Sequence, residues 1–529
     1  MEKFQKILKN KYFYYILIGI MMLCLSVYDL KYKLNDNGIT SNKYIIFLAV
    51  VGSIILSIII LAIRIKEIRK IKMENMFSII ALILGSMYLI CAPIFTGSDD
   101  HSHFYRIYEI TEGTIITPIQ DDNTVGSELP KSLSSIFINN SKKHNDRNKY
   151  IKYKDEIEMI KVPENKDEKV IYGTNYETQY TAAALYSPVQ YIPQILGVLT
   201  GKVLKMNPFI QGQLARVFNL LAYVGICSYF IKRLPKYKEV AFLILLCPNL
   251  LASATTFSAD AFTCALVFGL ITIVINNINS EEKLTIKSKI LIVMLSVLIS
   301  SCKIVYFPFV LLLCLIPKER FKGKGNKIAF IGACIVLSII VSATWMKITG
   351  RYFDIYYKNS DIQKNNILAN MLKYAFVVLR TYLSKIDIII FNTFGGNNMY
   401  HSQLPVYNFI SVVYFIIVSL GFFSQDNKIE KNQKNKIIHN ILTVSVMLIV
   451  LALISTAIYV QCTANFIKID NPVIGGLQGR YFIPLVLCAL LIDHKKRIEI
   501  IHKDNKMFID IGLLLNTFIL FQMIVCFCA

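Results

Sequence analysis

The sequence predicts an all-α polytopic membrane protein with about 11–13 transmembrane helices. Of its 529 residues, 54% are hydrophobic, and the mean hydropathy is +0.50. Apolar runs of roughly 15 to 24 residues recur along the chain, enough for most of them to cross ~30 Å of hydrocarbon at 1.5 Å per residue. Lys-rich breaks separate these runs, and within lipid only helices or closed barrels satisfy their own backbone groups.

In chain order, the predicted spans lie at about 12–29, 44–63, 77–95, 209–231, 239–256, 261–278, 288–302, 304–317, 327–347, 405–424, 437–460, 480–493 and 507–527. The first follows Lys3, Lys6, Lys9 and Lys11 and so imitates a signal peptide. It ends in Val27-Tyr28-Asp29 without a small-x-small cleavage site, so it is read as a span with its N-terminus inside. Segments 288–302 and 304–317 are short for a crossing and suggest a re-entrant hairpin with Lys303 at its tip. Segments 182–204 and 367–393 are apolar but interrupted by Pro, Gly or charge, and are expected as amphipathic helices lying on the outer surface.

The formal net charge of +22 is explained by the positive-inside rule, with no call for nucleic acid. Arg64 to Lys72, Lys232 to Lys238, Lys318 to Lys327 and Lys495 to Arg497 all fall on one side in a single orientation. Cysteines such as Cys227, Cys264 and Cys488 sit within apolar runs, and no CxxC or Cys/His zinc spacing occurs. They read as small buried hydrophobes.

The organisation that follows is a two-span extension over 1–76 and a transmembrane core over 77–347 with an outer loop at 96–208. An outer loop with an amphipathic helix (348–404) and a group of C-terminal spans (405–529) complete the chain. Within the first loop, 120–175 is Lys/Asp/Asn-rich and reads as a small subdomain or a partly disordered stretch.

The chemistry-bearing residues cluster at the outer ends of spans. Ser98-Asp99-Asp100-His101-Ser102-His103-Phe104 follows directly on an apolar run, and ionisable groups at a membrane boundary are costly and usually functional. With Ser98 as N-cap, Asp99, His103 and Arg106 share one helix face. Asp and His one turn apart read as a base with its orienter, as two ligands of a divalent metal, or as plain helix capping. Tyr186 and Tyr191, in a Pro-kinked interfacial segment, read as ligand contacts or as belt anchors. Arg216 reads as a phosphate ligand or a snorkelling side chain, and Asp260 as a site acid or a helix cap. Lys303 faces outward against the basic-inside trend, as an anion ligand would. Gly475 to Tyr481 allows close backbone approach, and Arg480 at a helix start opposes the dipole, so Gln478, Arg480 and Tyr481 read as a phosphate cradle.

The run Asp99-Asp100-His101-Ser102-His103-Phe104-Tyr105-Arg106…Gly113 resembles the D-E-x-x-H-F-x-R…G motif of a family of bacterial polytopic membrane proteins. Tyr186-Ser187-Pro188…Tyr191…Pro193, Ala215-Arg216…Asn219, Pro248…Ser258-Ala259-Asp260 and Gln478-Gly479-Arg480-Tyr481-Phe482…Pro484 resemble its later motifs in the same order, over about 90 to 490. That family in turn resembles the GT-C glycosyltransferases. The resemblance implies a GT-C-like core with interfacial helices in a large first outer loop, a polyprenyl-phosphate-linked sugar as donor, and Asp99 or Asp100 as base. Two departures are evident: Asp100 stands where the family has Glu, and two spans precede the first motif.

The function expected is an inverting, GT-C-type membrane glycosyltransferase. It would move a sugar from a polyprenyl-phosphate carrier to a cell-envelope glycan, teichoic acid or lipid, in a bacterial plasma membrane with the site on the extracytoplasmic side. One carboxylate takes the acceptor hydroxyl's proton, and cations stabilise the departing phosphate. No cofactor is required by this scheme, although a divalent metal is compatible with the acid/His pair. A transporter or flippase of lipid-linked glycans is the alternative; it calls for charged residues near the bilayer midplane and internal repeats, whereas the apolar runs are largely free of charge and no internal repeat is visible. A non-catalytic scaffold is the third reading.

Overall fold

The computed structural model describes Cys24, Tyr28 and residues 71–97, 99–121, 123–133, 169–173, 180–278, 280–395, 408–424, 433–494 and 506–523. All of the expected second span, all but Cys24 and Tyr28 of the first, Ser98 and most of 134–179 lie outside the described residues. The molecule is mostly helical. Among the described residues five helices are long and apolar enough to cross a membrane, within Met73–Cys91, Pro208–Arg233, Asp260–Ile278, Lys324–Tyr356 and Lys436–Phe466. Shorter apolar helices lie at Ile304–Leu315, Ile410–Phe423, Gly479–Leu491 and Phe508–Met523.

Asp260–Ile278 is the central helix. It is apolar all round and 94% of its apolar window is buried, against 22% for Lys324–Tyr356 and 28% in Lys436–Phe466. The peripheral pair present Ile339, Ile340, Ile441 and Leu448 outward, as lipid-facing surfaces do. Local chemistry explains most boundaries. Asn207 caps Pro208–Arg233 by accepting from Ile210 N at 2.9 Å, with Pro208 in the first turn, where its missing N–H is harmless.

Two predicted spans take a different form. The run 239–256 is broken by Pro248 into Lys238–Leu245 and Pro248–Ala254, because Pro cannot continue a helix through its own nitrogen. Ile304–Leu315 is a 3₁₀ helix carrying Pro308. At ~2.0 Å per residue its twelve residues reach roughly 24 Å, farther than an α-helix of that length. Lys303 sits at the joint between it and Ile286–Cys302, where the hairpin tip was expected.

Both expected amphipathic segments are helical. Ile192–Val203 lays Gly197 and Gly201 against Pro208–Arg233, so close that a Cβ on Gly197 would stand 2.5 Å from the Leu214 carbonyl oxygen. Its other side exposes Leu196 and Val203. Met371–Ser384 likewise exposes Phe376, Leu379 and Leu383 while burying Val377 and Thr381. In the first loop, strand β1 (Glu128–Pro130) pairs antiparallel with β2 (Lys169–Ile171), so the polar stretch begins and ends in one small sheet. Beneath it an aromatic cluster, with Phe104 and Phe257 rings 4.6 Å apart, seats the helix Asp100–Thr111 on the Thr255–Ser258 turn.

Candidate functional site

The helix Asp100–Thr111 starts one residue later than the sequence suggests, with Asp99 as the preceding residue in a left-handed conformation at φ 57°. Asp is one of the few non-glycine residues that tolerate this region. The turn leaves Asp99 exposed and directs Asp100 inward. Asp100 Oδ2 accepts from Gly97 N at 2.9 Å and Oδ1 from Phe257 N at 3.1 Å. Gly97 lacks a side chain where one would collide with that carboxylate, at 2.4 Å. Burial raises the Asp100 carboxyl from 3.8 to about 6, against the pull of Arg216 and two backbone N–H groups. Asp100 therefore fastens the first helical turn to the 257 turn, whereas Asp99 stands at the exposed surface.

One helical turn on, His103 Nδ1 lies 2.6 Å from Tyr191 Oη, and its ring stacks on Tyr186 at 5.8 Å and 29°. Burial lowers the imidazole from 6.5 to about 4, opposed by Asp99 and Asp260, so it is neutral near pH 7. Tyr191 is positioned by the 3₁₀ turn Pro188–Tyr191, which Ser187 caps by accepting from Val189 N. Burial also keeps the Tyr186 phenol protonated.

The cationic part is assembled from three distant segments. Asp260 opens the central helix, and Ser258 Oγ accepts its N–H at 3.2 Å. Lys303 Nζ pairs with Asp260 Oδ1, and Arg480 Nε stands 2.8 Å from Oδ2, an ion contact whose N–H is not aligned as a hydrogen bond. Lys303 and Arg480 lie 5.0 and 5.5 Å from the Tyr481 ring centre, and Tyr306 Oη donates to the Tyr481 carbonyl at 3.1 Å. The Gly475–Arg480 approach is held by contacts only glycine permits: a Cβ on Gly479 would lie 2.0 Å from the Asn392 carbonyl carbon. Asn249 Nδ2 donates to the carbonyls of Asn392 and Thr393 from behind. Gln478 Oε1 is buried without a hydrogen-bond partner.

Asp99, His103, Tyr186, Tyr191, Asp260, Lys303, Arg480 and Tyr481 thus form one neighbourhood. The charge of Asp99 acts on both His103 and Arg480, and those of Asp260 and Lys303 act on His103.

Two predicted ligands are engaged elsewhere. Arg106 is fully buried, bound to Glu109, to Thr117 Oγ1 at 3.2 Å and to the carbonyls of Thr114 and Ile115. Arg216 gives Nε to Thr255 O at 2.6 Å, Nη1 to Gln213 Oε1 at 2.8 Å and Nη2 to Ala92 O at 2.8 Å. Both guanidiniums clamp backbone instead of facing a ligand, since a buried Arg finds most of its partners locally; Arg106 Nε alone of these donors is left buried without one. Asn219 Nδ2 reinforces the Arg216 clamp by donating to Ser253, Thr256 and Ser258 carbonyls.

The described residues do not assemble a ligand set for a divalent metal. Asp260 has an oxygen on each cation, His103 Nδ1 is on Tyr191, and among the described residues no three His, Cys, Asp or Glu side chains converge.

Sequence reasoning missed Glu109, the partner of Arg106, although the i, i+3 spacing was available to find it. It also missed Asn249 and Asn392, for which no local signal exists.

A family model described as "Predicted membrane protein (DUF2142)" matches residues 82–489. No curated protein and no solved structure matches the chain.

Proposed function

We propose that this chain, which belongs to the predicted membrane protein family DUF2142, is a GT-C-type glycosyltransferase acting at the membrane surface. Its donor is a sugar linked to a polyprenyl phosphate, and its acceptor a hydroxyl of a cell-envelope glycan, teichoic acid or lipid on the extracytoplasmic side. The observation that carries the reading is the meeting of an exposed carboxylate, Asp99, with the Lys303/Arg480 pair around Asp260.

In the reaction, Asp99 accepts the proton of the acceptor hydroxyl as its oxygen attacks the anomeric carbon. The bond from that carbon to the phosphate oxygen breaks, and the phosphate leaves with the electron pair. Arg480 and Lys303 stabilise the anion that forms, so no acid is needed on the leaving side. A single displacement inverts the anomeric centre, unlike the paired carboxyl chemistry of glycoside hydrolysis. His103, Tyr186 and Tyr191 form a neutral aromatic wall suited to a sugar face.

The test is sugar transfer by the purified protein from a panel of polyprenyl-phosphate sugars, comparing wild type with Asp99→Asn and Asp100→Asn. Asp99→Asn is expected to lower turnover roughly 10²–10⁴-fold with donor binding retained. Full turnover in Asp99→Asn would remove the base assignment. Transbilayer movement of the lipid-linked sugar without transfer would favour a flippase.

A further inference from the structure

The charges of the Asp260 cluster can be counted. Two cationic side chains share one carboxylate, each on its own oxygen, leaving one net positive charge. Asp260 is 11% exposed, Lys303 15% and Arg480 14%, so the set is largely withdrawn from water yet still reachable. Of the nearest titratable neighbours, His103 and Tyr186 are neutral near pH 7, and the Asp100 carboxylate, bonded to the Gly97 and Phe257 N–H groups, has Arg216 as its foremost cation and Arg480 only as a lesser one. Asp99 stands at the exposed edge, where water screens it. In so enclosed a place, uncompensated charge is costly, and a bound anion is favoured most when it cancels the charge already there.

From this balance we propose that Asp260 is a specificity-determining residue that sets the charge of the donor. By half-neutralising Lys303 and Arg480, it suits the site to a lipid-linked sugar joined through one phosphate, a diester with one negative charge. A sugar joined through a diphosphate brings two negative charges and leaves one in excess, facing the Asp260 carboxylate. The proposal rests on the glycosyl-transfer reading for the identity of the ligand, and its test reads binding alone.

The probes are farnesyl phosphoryl-glucose and farnesyl diphosphoryl-glucose, titrated against the purified full-length protein in detergent, with affinity read from ligand-dependent thermal shift. Wild type is expected to bind the monophosphoryl compound roughly tenfold more tightly. Asp260→Asn leaves two net positive charges and is expected to erase or reverse that preference. Because it also unpairs two cations, the variant carries a folding risk, so Lys303→Gln is measured beside it. That change leaves the Asp260–Arg480 pair neutral and is expected to weaken monophosphoryl binding without improving diphosphoryl binding. Equal or tighter diphosphoryl binding by wild type, an unchanged preference in a folded Asp260→Asn, or full monophosphoryl affinity in Lys303→Gln each overturns the proposal. A protein that shows the preference but transfers no sugar would keep this inference and lose the transferase reading.

Discussion

Among the described residues two arginine–carboxylate pairs are built for opposite ends. Arg106 and Glu109 are both 0% exposed, and Glu109 also accepts from Thr117 and Ser127, so the pair is closed on all sides by its own loop. Arg480 and Asp260 are partly open and share their charge with Lys303, and the charge of the exposed Asp99 acts on Arg480. A buried pair enclosed by its own hydrogen bonds holds a fold together; one left unbalanced and reachable is free to meet an anion. Sequence position does not distinguish them, since both arginines stand in motifs of similar strength. Enclosure does.

The sharpest way to break this contrast is to remove a partner from the closed pair. Glu109→Ala strands the Arg106 guanidinium without its carboxylate and is expected to cost about 3–5 kcal/mol of stability. The measurement is thermal unfolding in detergent; an unchanged midpoint would mean the pair contributes nothing to the loop. Gly479→Ala comes next. The added methyl meets the Asn392 backbone and is expected to cost about 1–3 kcal/mol while shifting Arg480 off Asp260, so ligand binding weakens along with stability. Retention of wild-type values on both counts would show that the close approach is dispensable.

The smallest expected effect is in pH dependence, and it has two opposing parts. Asp100 is raised from 3.8 to about 6, so between those values the folded protein holds a proton that the unfolded chain has lost, and stability falls as pH rises. His103 is lowered from 6.5 to about 4, so the unfolded chain holds the extra proton and stability rises with pH across that range. Near pH 5 the two slopes offset. Asp100→Asn is expected to leave a stability that climbs from pH 4 to 6.5, and His103→Gln one that declines from pH 4 to 6. Identical pH profiles for both variants would contradict these environments.

How much of this was legible beforehand follows from the range of each signal. Asp99, Lys303 and Arg480 stand out because each is a charge at the end of an apolar run, a local conflict that any reading detects. The division of labour between Asp99 and Asp100 was not legible. It depends on a left-handed turn and on the Phe257 N–H, supplied from 157 residues away. Arg106 and Arg216 were drawn into the site because a cation in a motif looks like a ligand. Their carbonyl partners come from Ile115, Thr255 and Ala92, and backbone acceptors leave no trace in composition. The break at Pro248 was visible as a residue but was outweighed by the apolar run around it.

The central claim is that the open cluster acts on a ligand while the closed pair serves the fold. It is tested most directly by making the same change in both, Arg480→Gln and Arg106→Gln, and measuring sugar transfer and thermal unfolding for each. The account predicts that Arg480→Gln loses roughly 10²–10³-fold in turnover with little change in unfolding temperature, and that Arg106→Gln lowers the unfolding temperature markedly. Full turnover in a folded Arg480→Gln protein would contradict it.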